Sequence, residues 1–129
     1  MPTDAALPSP TSFEEFWPFY VSQHLDTTCR RLHYAGTSLA LGCALVSPLF
    51  PPALLAAPVF GYGFAWVGHY GFEKNRPATF GSIQHAVWSL RGDFRMLRLA
   101  IAGRMGPELA RGRAYYEQLA GTAGESAPA

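Results

Sequence analysis

The hydrophobic and polar positions of this chain fall into distinct stretches with different rhythms. In residues 13–24, Phe13, Phe16, Trp17 and Tyr20 recur on one side of a helix. Ser12 stands where an N-cap belongs, and Glu14 and Glu15 fall in the first turn, where the helix dipole favours them. The aromatic density predicts an interfacial helix with its rings at lipid-headgroup level, ending near His24. Asp26, Thr27 and Thr28 are cap-type residues that open a second helix. Polar patterning then stops. Between Arg31 and Glu73 lie 41 residues without Asp, Glu, Lys or Arg. At ~20 residues per crossing, this run predicts two transmembrane helices. Pro48, Pro51 and Pro52 mark the turn between them, and the returning helix spans about 53–72, with Pro58 tolerated in lipid.

Small residues recur every four positions on both arms, Gly36, Ala40 and Ala44 on the first and Ala57, Gly61 and Ala65 on the second. Such stripes let backbones approach closely and predict a packed hairpin. After a loop at 75–82, an amphipathic helix is expected over 84–103. Its apolar stripe is Val87, Leu90, Phe94, Leu97 and Ile101, with a basic stripe of Arg91, Arg95 and Arg98 beside it. Such a helix can lie on an anionic membrane surface or pack over the mouth of the hairpin. Pro107 can begin a last helix over about 108–120. The predicted fold is all-α, an integral membrane helical hairpin with flanking interfacial helices. Residues 1–12 are expected to be a disordered lead, 13–120 a single domain, and 121–129 a flexible tail.

Composition adds little except where it is segregated. The 129 residues are 49% hydrophobic and 15% charged, with a net charge of +1. That balance, without a dense basic patch, gives no support for nucleic-acid binding. Arg30, Arg31, Lys74 and Arg76 flank the uncharged run, whereas the turn has no charge. Both termini are therefore expected on the cytoplasmic side, of a bacterial inner membrane or of the endoplasmic reticulum. Residues 1–12 lack the basic and apolar regions of a signal peptide. Cys29 and Cys43 lack a metal-binding spacing and read as free thiols.

The candidate chemistry lies at the ends of the uncharged run. Measured from the turn, His33 and His69 are each about 17–18 residues away, roughly 26 Å along their helices. Antiparallel arms bring them to one level, and the break at Asp26 can turn His24 back toward them. Three imidazoles with open positions suit divalent iron, zinc or copper. Glu73 shares a helical face with His69. It can be a ligand, a hydrogen-bond acceptor for a ligand, or a partner for Lys74, Arg76 or Arg30. His85 either completes a four-histidine site or lies outside it.

Laid out in order, these residues resemble a known family. Gly68-His69-Tyr70-Gly71-Phe72-Glu73-Lys74-Asn75-Arg76-Pro77-Ala78 resembles the signature G-H-x-x-F-E-K-x-R-P-A. That signature belongs to small membrane proteins related to the fungal 2-hydroxy fatty acid dioxygenase of phytosphingosine breakdown. Phe19-Tyr20, His24, Leu32-His33 and Gly36-Thr37 resemble an earlier block of the family. Trp88-Ser89-Leu90 and Gly92-Asp93-Phe94-Arg95-Met96 resemble a later one. Asp26 stands where the family usually has Asn, and Thr27 and Cys29 also depart from the pattern. The resemblance implies an enzyme that uses Fe(2+) and O2 to shorten a 2-hydroxy fatty acid by one carbon, releasing CO2. By the same resemblance His24, His33 and His69 are iron ligands, with His85 a further candidate.

A 2-hydroxy acid can chelate iron, its acyl tail needs an apolar slot, and Lys74 or Arg76 can neutralise its carboxylate. With Glu73 these are the candidate catalytic residues. The expected partners are the lipid substrate, O2, the membrane and a second copy in a homodimer. Two other readings compete. One is a non-catalytic membrane assembly or binding module with structural histidines. The other is a haem carrier.

Overall fold

A computed structural model describes residues 10–77 and 81–125. These form five α-helices and one π-helical segment, with no strand among the described residues. Helix α1 is Phe13–Ser22, and the Ser12 hydroxyl oxygen accepts the Glu15 N–H at 3.2 Å as its cap. Helix α2 is Thr27–Val46, capped by Asp26, whose carboxylate accepts the Cys29 N–H at 2.8 Å. Helix α3 is Ala53–Val67 and runs without a break into the π-helical segment Gly68–Glu73. Helices α4, Ile83–Ile101, and α5, Met105–Glu125, complete the chain. The expected tail is partly helical, since α5 continues through residue 125. Residues 1–9 of the expected lead, 126–129 of the tail and Ala78 of the signature block lie outside the described residues.

The hairpin packs along its small residues. A Cβ at Gly36 would stand 2.9 Å from the Phe60 carbonyl oxygen and 2.9 Å from Phe64 Cβ, so glycine alone allows this approach. Ala40 faces Gly61 one turn further on, and Cys29 faces Gly68 at the other end, which makes the arms antiparallel.

The two expected membrane crossings are not borne out. No described helix is long and apolar enough to span a membrane. Helix α3 has 15 residues, about 22 Å at the helical rise, against a hydrocarbon core of about 30 Å. Helix α2 has 20 residues, but its first two turns carry Arg30, Arg31 and His33. Arg30 and His33 are buried in protein rather than lipid. The Arg30 guanidinium donates to the carbonyls of His24 at 2.8 Å and Leu25 at 2.6 Å, clasping the turn before α2.

Helix α1 is a core helix, not an interfacial one. Phe16, Trp17 and Tyr20 are almost wholly buried and form a cluster with Phe13, Val21, Met96 and Met105. Glycines let α4 and α5 close over it: a Cβ at Gly92 would lie 3.0 Å from the Tyr20 ring, and one at Gly112 2.6 Å from Val21 Cγ1. The Trp17 indole N–H donates to Glu108 at 2.8 Å, fixing α5.

Helix α4 buries an unexpected face. Ser89, Gly92 and Met96 turn inward, whereas Ile83, Val87, Leu90, Phe94 and Ile101 are exposed. The Tyr20 ring occupies the position against Gly92 that a larger side chain would need, so the inward stripe is small at Ser89 and Gly92 and apolar at Met96.

Candidate metal centre

Three elements deliver three imidazoles to one point. His24 lies in the turn after α1, His33 on the second turn of α2, and His69 in the π-helical segment. Their available ring nitrogens all lie within 4.8 Å of one another. The rings meet edge to face, with centroids 4.5 Å apart for His24–His33 and His24–His69 and 4.8 Å for His33–His69. A π-helical turn shifts the side chains that follow it around the helix, and such turns recur at functional sites. Gly68 keeps this one close to α2: a Cβ there would stand 3.1 Å from the Cys29 sulfur.

The hydrogen bonds fix which nitrogen faces the centre. The Nδ1–H groups of His24 and His33 donate to the carbonyls of Tyr20 at 2.6 Å and Cys29 at 2.8 Å. His69 Nδ1 donates to Asn75 Oδ1 at 2.6 Å. Asn75 is itself oriented, because its amide donates to the Gln23 carbonyl at 2.9 Å. Each ring therefore spends its Nδ1 proton on an oxygen acceptor and turns Nε2 inward. Outer partners of this kind characterise metal-ligating histidines. His24 Nε2 and His33 Nε2 stand 3.1 Å apart. In the neutral tautomers set by those bonds, two lone pairs oppose each other there. A cation between the three nitrogens removes that conflict, so the donor set fits a divalent transition metal.

Electrostatics favour the same state. Burial, then the neighbouring His33 and His69, holds His24 well below the usual imidazole range. Burial and His69 pull His33 down to about 4. Burial also lowers His69, against the opposing effect of its Asn75 bond. Metal ligation requires the neutral imidazole, the form these surroundings enforce. Cys29 is pushed up to about 12 by burial. It therefore stays a thiol, and it packs beside His33 instead of joining the nitrogens.

The centre closes one end of a cavity of about 340 Å³ between the hairpin and α4. Ala40, Ala44, Ala57 and Gly61 line its length, and Ser89 and Asp93 face it from α4. From His33 to Ala44 the slot follows α2 for roughly 16 Å.

The other expected site residues stand elsewhere. Glu73 is half-buried and accepts the Asp26 backbone N–H at 2.5 Å, tying the end of the π-helical segment to the start of α2. Burial raises its carboxyl above the ordinary range. Lys74 ends the segment in the left-handed region at φ 60° and is exposed. Arg76 is also exposed, and none of these three lines the cavity. His85 packs among Phe16, Phe19 and Trp88, outside the three-histidine group. Sequence reasoning missed Asn75, whose only signal was its place inside the signature block. It also missed Ser89 and Asp93, which stand in the later block.

A family model described as 2-hydroxy-palmitic acid dioxygenase Mpo1-like matches residues 10–105. The chain belongs to this family. The match takes in α1 to α4 and the first residue of α5, so it covers every element that delivers a histidine or lines the cavity. Comparison with curated proteins and with solved structures gave no match.

Proposed function

We propose that the protein is an iron-dependent dioxygenase that shortens 2-hydroxy fatty acids by one carbon. The observation that carries this reading is the union of three inward-facing imidazoles with an apolar slot, in a chain of the Mpo1-like family. His24, His33 and His69 would hold the ion, which supplies a Lewis-acidic, redox-active centre for the substrate head and O2. The net reaction balances without another reductant. A 2-hydroxy acid and O2 give the shorter acid, CO2 and water, and the substrate supplies all four electrons.

The chain's own residues perform the remaining tasks. Tyr20, Cys29 and Asn75 hold the imidazoles in register through their Nδ1 protons. The small residues of the hairpin leave the slot open for an acyl tail, and its apolar walls keep water from the head end. Lys74 and Arg76 act outside the cavity, as positive charges near its end.

Membrane contact belongs to the same reading, as immersion instead of crossing. Leu45, Leu49 and Leu55 at the hairpin tip are 80%, 92% and 77% exposed. Leu41, Tyr62, Leu90 and Phe94 line the cavity and are exposed as well, giving the slot an apolar rim. The tip and the outer face of α4 would rest in one leaflet, from which a fatty acid enters sideways.

The test supplies Fe(2+)-loaded protein with 2-hydroxyhexadecanoic acid under air. The reading predicts pentadecanoic acid and CO2 in equal amounts, with one O2 consumed for each. Absence of O2 uptake across several chain lengths would sink it in favour of a binding module with structural histidines.

A further inference from the structure

One part of the cavity wall has no role in holding the metal. Ser89 and Asp93 stand one turn apart on α4 and both face the cavity that the histidines close. Ser89 is 5% exposed, and its hydroxyl is the one buried side-chain polar atom among the described residues without a hydrogen-bond partner. Native proteins satisfy nearly all such groups, so an orphan hydroxyl on a residue that lines a cavity marks a place where a bound molecule supplies the partner.

Asp93 is the second polar group on this wall. One of its oxygens accepts the Tyr20 hydroxyl proton. Tyr20 reaches it because Gly92 lets the ring lie against α4. The carboxyl retains a second oxygen, and its neighbours on the wall, Leu90 and Phe94, are apolar. Burial lifts Asp93 to about 7, a penalty that a purely structural position would avoid with an apolar residue.

The chemistry of the two groups assigns them to different parts of a ligand head. A carboxyl oxygen accepts from a hydroxyl, and when ionised it repels a second carboxylate. A serine hydroxyl can donate to a carboxylate. We propose that Asp93 selects the substrate's 2-hydroxyl by accepting its hydrogen bond, while Ser89 donates to a substrate carboxylate oxygen. This rests on the 2-hydroxy acid reading above. It makes α4 the specificity wall and the histidine-bearing elements the metal wall. A fatty acid without the hydroxyl leaves the second Asp93 oxygen without a partner, and sites built to bond a substrate hydroxyl reject analogues that lack it.

The experiment measures binding, not turnover. Protein loaded with redox-inert Zn(2+) is titrated calorimetrically with 2-hydroxyhexadecanoic acid and with hexadecanoic acid. Wild type should prefer the hydroxy acid by about 10- to 100-fold. Ser89→Ala should weaken both acids about tenfold and leave their ratio unchanged, because the carboxylate is common to both. Asp93→Leu, combined with Tyr20→Phe so that no hydroxyl is orphaned, should lower the ratio about tenfold, toward the preference that chelation of the ion alone gives. Unchanged metal stoichiometry confirms that the histidine wall survives. Ser89→Ala removes an atom with no partner in the fold, so that arm remains informative even where the double variant fails to fold. Wild-type affinity in Ser89→Ala, or a wild-type ratio in the folded double variant, overturns this assignment and leaves the substrate reading standing. A wild type that binds neither acid overturns the substrate reading and the assignment with it.

Discussion

Replacing Asn75 by Leu tests how the metal centre is built. Asn75 Oδ1 takes the Nδ1 proton of His69 at 2.6 Å, and its amide donates to the Gln23 carbonyl at 2.9 Å. Leucine has the same branched skeleton and number of heavy atoms but removes both bonds, together with the 3.1 Å bond from the amide to Gln23 Oε1. Two effects follow. First, His69 loses the acceptor that fixes its tautomer, so its neutral ring divides the proton between its two nitrogens and presents a lone pair at Nε2 only part of the time. Loss of such an outer partner lowers metal affinity by about 10- to 100-fold, or about 1.4–2.7 kcal/mol. Second, a buried N–H and a buried carbonyl are left unpaired, each destabilising the fold by about 1–3 kcal/mol. The assay is competitive titration with Co(2+), followed by its visible ligand-field bands, alongside urea denaturation of the metal-free protein. The expected result is one ion per chain at reduced affinity, with a lower urea midpoint. Unchanged affinity in a folded Asn75→Leu protein would refute the claim that this hydrogen bond orients His69.

Three further outcomes follow from other parts of the molecule. Glu73→Gln keeps an oxygen to accept the Asp26 N–H, so metal affinity should stay within about threefold of wild type; a drop of 10- to 100-fold would instead make Glu73 a ligand or a ligand's partner. The imidazoles are depressed in the folded state, with His33 at about 4 against an ordinary value near 6.5. The imidazoles' own contribution to the stability of the metal-free protein is therefore complete above about pH 6.5 and is lost as pH falls toward 4, because the unfolded chain protonates them first; the raised carboxyl of Asp93 works in the opposite direction over the same range. His33 alone accounts for about 3 kcal/mol of that loss, measurable as the difference in urea midpoint between wild type and His33→Gln followed across this pH range. Leu49→Glu together with Leu55→Glu should lower co-sedimentation with phosphatidylcholine vesicles by at least about tenfold; undiminished binding would place the lipid contact elsewhere.

The sequence carried the helix starts well, because caps are local. Ser12 and Asp26 each bond the backbone three residues on, as their types and positions predicted. The convergence of His33 and His69 was also legible, since two helices joined by a proline turn fix depth by counting. What failed needed tertiary information. The uncharged run looked like two crossings because its composition does not show where each helix stops: α3 has only 15 residues, and Arg30 at the edge of the run clasps the His24 turn. The aromatic face of α1 looked interfacial because the glycines that let α4 and α5 cover it, Gly92 and Gly112, lie far along the chain. The moment of α4 pointed the wrong way, because its inward face answers to Tyr20 and to the cavity. His85 shared the expected depth with the other histidines but not their direction. Asn75 was invisible as a chemical group, since hydrogen-bonding a ligand leaves no spacing of its own.

The central claim is that His24, His33 and His69 form one metal centre. Metal analysis of the purified protein beside His24→Gln, His33→Gln and His69→Gln tests it most directly. The account predicts one tightly held divalent ion per wild-type chain and its loss in each variant, with the helical circular dichroism retained. A wild-type chain that takes up no metal, or variants that still bind one, would contradict it.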